Sequence, residues 1–102
     1  RVMVGQGLMV GTGAIELGIG SLGVENAIHT WQNTAIPAGG TTGTGYRFSS
    51  SSNFGVFFGS GAPSLTAAQG SLYLRSDGSS TSTRMYVNTD GSTTWTAVTT
   101  AA

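Results

Sequence analysis

Few side chains in this 102-residue chain have the chemistry for catalysis or ligation, and their spacing sets what each can do. His29 is the sole histidine. A neutral imidazole can ligate a metal or act as a general base. Its nearest acids are Glu25 and Glu16, and the chain has no cysteine. Glu25 and His29 would share a face if that stretch were helical. Two ligands are too few for a structural metal. His29 is therefore expected to be structural or solvated. The bolder alternative is an ion held between copies on a threefold axis, where His29 recurs. Asp77 and Asp90 invite comparison with the carboxylate pair of glycoside hydrolysis. Each directly precedes a glycine, Gly78 and Gly91. That dipeptide is a turn signal, because the short carboxylate accepts local backbone N–H bonds and glycine accommodates a left-handed backbone. Both pairs are expected to form turns. Arg75 and Arg84 flank the first turn and are expected to pair with Asp77 or Asp90, or to contact another subunit or a carbohydrate. Ser49-Ser50-Ser51-Ser52 has no accompanying base, and Gly11-Thr12-Gly13 lacks the lysine of a phosphate-binding loop. No catalytic set is assembled, so the expectation is a non-enzyme without a cofactor or metal.

The aromatic side chains have two uses. Tyr46, Tyr73, Tyr86, Trp31 and Trp95 can stack on sugars or fill a core or subunit interface. Tyr73, Leu74, Tyr86, Val87 and Trp95 are expected in the core or an interface. Trp95 is the best core candidate because it follows the final turn. Trp31 and Tyr46 are the residues that would contact a glycan.

The elements that position these residues are short strands. Tyr46-Arg47-Phe48, Phe54 to Gly59, Ser71 to Arg75, Arg84 to Asn88 and Thr93 to Val98 are rich in aromatic and β-branched residues. With turn signals between them they predict an antiparallel meander. Leu72 to Ser79 repeats as Met85 to Ser92 at an offset of 13 residues. Both copies read apolar, Tyr, aliphatic, polar, Ser or Thr, Asp, Gly, Ser. Alternation along a strand gives each copy an aromatic face and an aliphatic face. Two apolar faces imply two covers, one of them supplied by another subunit.

Upstream, Val2, Val4, Leu8, Val10, Ile15, Leu17 and Ile19 alternate between glycines and predict Gly-rich extended strands. A helix of one or two turns is expected around Leu22 to Trp31. Residues 32–45, with Pro37 and a Gly/Thr run, form a loop. The expected division is 1–45, a Gly-rich docking or shaft segment with its loop, and 46–102, a β-meander module. The first residue is Arg1, so the chain is expected to be a fragment or a processed product.

Composition bounds the partners. There are 17 glycines, 13 serines and 15 threonines, and only 8% of residues are charged, with no net charge. Ordering so many small residues costs entropy that a lone copy's apolar burial poorly offsets. Copies that bury their apolar runs against each other resolve the shortfall. The chain lacks the basic footprint of a nucleic-acid or anionic-membrane binder. No apolar run approaches the roughly 20 residues of a membrane span.

One resemblance is specific as a whole. Gly59-Ser60-Gly61-Ala62-Pro63-Ser64-Leu65-Thr66-Ala67-Ala68-Gln69-Gly70-Ser71-Leu72-Tyr73-Leu74-Arg75-Ser76-Asp77-Gly78 is followed by Met85-Tyr86-Val87-Asn88-Thr89-Asp90-Gly91 and Thr94-Trp95-Thr96-Ala97-Val98. This order resembles a C-terminal module of tailed-bacteriophage and prophage virion proteins of the tail fibre, head fibre or capsid decoration type. The likeness covers roughly Phe54 to Ala102. It implies a virion protein on the particle surface, usually a homotrimer. Its partners would be its own copies, a major capsid protein or a tail or baseplate protein, and in the fibre case a host surface glycan. Fold class is expected to be all-β, with copies intertwined. A carbohydrate-binding tip module is the alternative function.

Overall fold

The structure is a computed structural model that describes residue 5 and residues 18–28, 35–49 and 51–101. The chain divides into two compact units, Arg1–Trp31 and Gln32–Ala102. In the first, residues 18–28 form neither helix nor strand. The helix expected around Leu22 is therefore absent from residues 22–28. Gly23 disfavours it by about 1 kcal/mol relative to alanine. Ile19, Leu22, Val24 and Ile28 are all exposed. The alternating aliphatics from Val2 to Leu17, together with His29 and Trp31, lie outside the described residues.

The second unit is built on a sheet. Its strands are β1 (Tyr46–Ser49), β2 (Phe54–Gly59), β3 (Leu72–Arg75), β4 (Met85–Asn88) and β5 (Trp95–Val98). They lie side by side in chain order. The described residues hold no helix, so the fold is all-β. Three of the four pairings are antiparallel. The fourth corrects the expected meander: β2 and β3 run parallel, with Phe57 opposite Tyr73. Parallel neighbours need a crossover of about a dozen residues. Residues 60–71 supply it, and they run across one face of the sheet on the way.

That crossover makes the core. Phe57 and Tyr73 are fully buried, and Tyr86, Leu65 and Ala67 nearly so, with Trp95 and Ala97 packed against them. Phe57, Tyr73, Tyr86 and Ala97 form one cross-strand row. The Tyr73 ring meets Tyr86 edge-on, and Tyr73 and Trp95 lie tilted, each pair with centroids 5.9 Å apart. Leu65 and Ala67 alternate down onto this row from the crossover. The crossover's polar backbone is bonded along its length. Trp95 Nε1 donates to the Leu65 carbonyl at 2.9 Å. Ala67 N–H donates to Ser92 O, Ala68 N–H to Asn53 O, and Ser64 N–H to Gly39 O. Asn53 Nδ2 donates to the Thr66 carbonyl at 2.6 Å. Asn53 stands at φ 53, a left-handed conformation that asparagine tolerates better than most residues.

The sequence places a division at residue 45, whereas residues 37–45 fold with the sheet. Gly39 N–H donates to Ser60 O and Ser60 N–H to Pro37 O. Pairing of β1 with β2 requires glycine at position 55. A Cβ there would collide with the Tyr46 carbonyl and lie 2.7 Å from Arg47 Cα.

Candidate interaction surface

The two faces of the sheet are unequal. The inner face carries the aromatic row under the crossover. The outer face carries two cross-strand rows. Tyr46, Val56, Leu72, Val87 and Thr96 make the first, and Phe58, Leu74, Met85 and Val98 the second. Neither row contains a charged side chain. At the β1 end, Phe48 and Phe54 extend the surface with their rings tilted at 5.7 Å. Phe48 is 69% exposed, Tyr46 55%, Leu74 44% and Phe54 37%. Val56, Phe58, Leu72, Met85, Val87 and Val98 are half-buried.

The residues expected in core or interface are thus sorted by pleat. Tyr73, Tyr86 and Trp95 turn inward. Leu74 and Val87 turn outward, and Leu74 is no core residue. Tyr46 lies exposed in the first outer row. Trp31, the other glycan candidate, and His29 are outside the described residues.

The charged residues serve the loops. Arg75 Nε donates to Asp77 Oδ1 at 2.8 Å, and an Arg75 terminal nitrogen donates to the Tyr86 hydroxyl at 3.1 Å. The same Asp77 oxygen accepts the Gly61 N–H at 2.9 Å. The Tyr73 hydroxyl donates to Gly61 O at 3.0 Å. This cluster fastens the start of the crossover to the end of β3. The bond from Arg75, then that from Gly61, holds the Asp77 carboxyl below its ordinary range. Burial, first among its causes, raises the Tyr73 phenol. Gly78 sits where any side chain would strike the Thr83 carbonyl.

The second repeat uses its aspartate differently. Asp90 Oδ1 accepts the Ser92 and Thr94 N–H groups at 2.8 and 3.1 Å. Hydrogen bonds from Thr94 and then Ser92 lower its carboxyl. Gly91 takes φ 75, the left-handed region glycine favours. The residue that organises this turn was not singled out by sequence: Asn88, 1% exposed. Its Oδ1 accepts the Asp90 and Gly91 N–H groups, and its Nδ2 donates to Ser92 O at 2.9 Å. The available signal was its place in the repeat, where it stands opposite Arg75 in the alignment and would be an exposed polar residue by analogy. Arg84 reaches Thr100 and Ala101 rather than an aspartate.

Both aspartates are therefore committed to backbone bonds. Among the described residues no three His, Cys, Asp or Glu side chains gather as a metal site. No described helix is long and apolar enough to cross a membrane. What the unit presents is an uncharged apolar sheet face edged by exposed aromatics. Compared with protein-family models, curated proteins and solved structures, the chain matches none.

Proposed function

We propose that this chain is a non-enzymatic structural protein of a bacteriophage particle. It acts as a homotrimeric capsid decoration protein or short fibre on the virion surface, docked on a major capsid protein or a tail or baseplate protein. The observation that carries the assembly part is the imbalance between the two sheet faces. Only five apolar side chains are buried among the described residues, while the other face stays apolar and open from β1 to β5. A sheet with two apolar faces needs two covers, and this unit supplies one. Placement in a virion is supported by the motif order. Its residues are also those that close the module: Ser71, Tyr73, Tyr86 and Asn88 are buried, and Trp95 is bonded to the crossover.

The test is peptide mass spectrometry of density-purified particles. Trypsin releases Phe48–Arg75 and Ser76–Arg84, which identify the chain. Recovery in fixed proportion to the shell or tail proteins supports the reading. Recovery only in the unassembled fraction overturns it.

One observation favours a second reading, a carbohydrate-binding tip. Tyr46 and Phe48 expose their rings on edge strand β1. That reading predicts calorimetric binding of bacterial surface glycan, lost in Tyr46→Ala. Binding unchanged by that substitution removes Tyr46 as the platform.

A further inference from the structure

Resting on that assembly reading, we infer that the occupant of the outer sheet face is the same face of other copies of this chain. Four observations converge on it. The face is built to be covered, since its first row runs through all five strands and its second through β2 to β5, neither with a charge. The unit's own cover is already spent on the opposite face, where Leu65 and Ala67 sit on Phe57 and Tyr73.

The chemistry also selects the partner. A partner carrying charge would have to strip water from it against a surface that offers nothing in return. An identical copy brings an equally uncharged surface. The charged groups of the sheet region lie off this face. Arg75 is tied to Asp77, and Arg84 to Thr100 and Ala101, in segments at the strand ends. Arg47 lies opposite Gly55, on the inner-facing side of the pleat.

The size is adequate. The exposed parts of Tyr46, Phe48 and Phe54 amount to roughly 350 Å², taking full ring areas of ~200–250 Å². Leu74 and the half-buried aliphatics bring the face to roughly 600 Å², most of the ~800 Å² each partner contributes to a standard interface. That is at the upper end of patches left bare on monomers, which run to about 600 Å². Three copies that turn this face toward a common threefold axis also make a closed assembly rather than an open fibre.

The experiment is multi-angle light scattering of the whole chain, its Leu74→Glu and Phe48→Ser variants, and Ser79→Glu as a control on an exposed loop. Far-UV circular dichroism confirms the sheet in each. Leu74 is 44% exposed, so the isolated sheet tolerates the substitution. A carboxylate in the assembled face would lie among apolar groups, and self-association is expected to weaken at least about tenfold. Wild type and Ser79→Glu are expected to assemble, and Leu74→Glu to fall toward monomer with its sheet intact. If Leu74→Glu loses its sheet signal, Phe48→Ser decides: a drop in mass supports the inference and an unchanged mass overturns it. Unchanged assembly in both variants overturns the face and leaves the assembly reading standing. A monomeric wild type overturns both.

Discussion

Asn88 gives the most demanding test of the fold. Its amide makes three hydrogen bonds to backbone in the turn between β4 and β5, accepting from Asp90 and Gly91 and donating to Ser92. The residue is 1% exposed. Ser92 O also accepts the Ala67 N–H, so the turn anchors the crossover over the core. Asn88→Ala removes all three bonds and leaves two N–H groups short of a partner. At about 1 kcal/mol net for each bond, the loss is about 3 kcal/mol. Desolvated donors left unpaired push it upward, and water entering the opened loop brings it back. For a domain of this size, that lowers the melting temperature by about 12–24 °C. The assay is urea unfolding followed by far-UV circular dichroism, at one fixed protein concentration because an assembly's midpoint depends on it. Thr89→Ala, at the exposed neighbour, is expected to change stability by less than about 0.5 kcal/mol. A loss below about 1 kcal/mol for Asn88→Ala would refute the claim that this side chain organises the turn.

Three further outcomes follow from the geometry. Gly55→Ala puts a methyl group into the β1 backbone and should cost about 2 kcal/mol, with amide exchange quickening selectively in Tyr46–Ser49. Leu65→Ala removes the crossover's plug over Tyr73 and should cost about 3 kcal/mol by thermal unfolding, with no new charge to blame. Asp77 and Asp90 both have depressed folded-state carboxyl values. The stability they contribute is full above the unfolded carboxylate value near 4 and is lost as pH falls through the lower folded values. Unfolding free energy should therefore decline on acidification below about pH 4, and the Asp77→Asn, Asp90→Asn double variant should flatten that slope when followed by urea titration at each pH.

The strands were legible because alternating aromatic and aliphatic residues leave few alternatives. The repeat aligned Tyr73 with Tyr86 without fixing their register, and in the sheet the two are direct cross-strand partners. The direction of β3 relative to β2 was not legible. Gly61, Pro63 and Gly70 in the connection read as ordinary turn residues, yet the segment is a crossover whose Leu65 and Ala67 face the sheet. Only its length and that small alternation distinguish it from a loop. The turns were harder. Asp77 and Asp90 look equivalent in sequence, but Asp77 fastens a distant loop at Gly61, while Asp90 closes its own turn. The difference comes from neighbours that no local pattern encodes. Leu74 shows the same limit: alternation gives its face, but whether that face is core depends on what the rest of the chain leaves uncovered.

The central claim is that this sheet is a self-assembling structural module, and the solution mass of the intact chain across a concentration series tests it most directly. The account predicts a compact species of three times the 10.3 kDa chain mass, persisting on dilution. A stable monomer at every concentration would contradict it and would leave the exposed Tyr46 and Phe48 rings as the basis of the glycan reading.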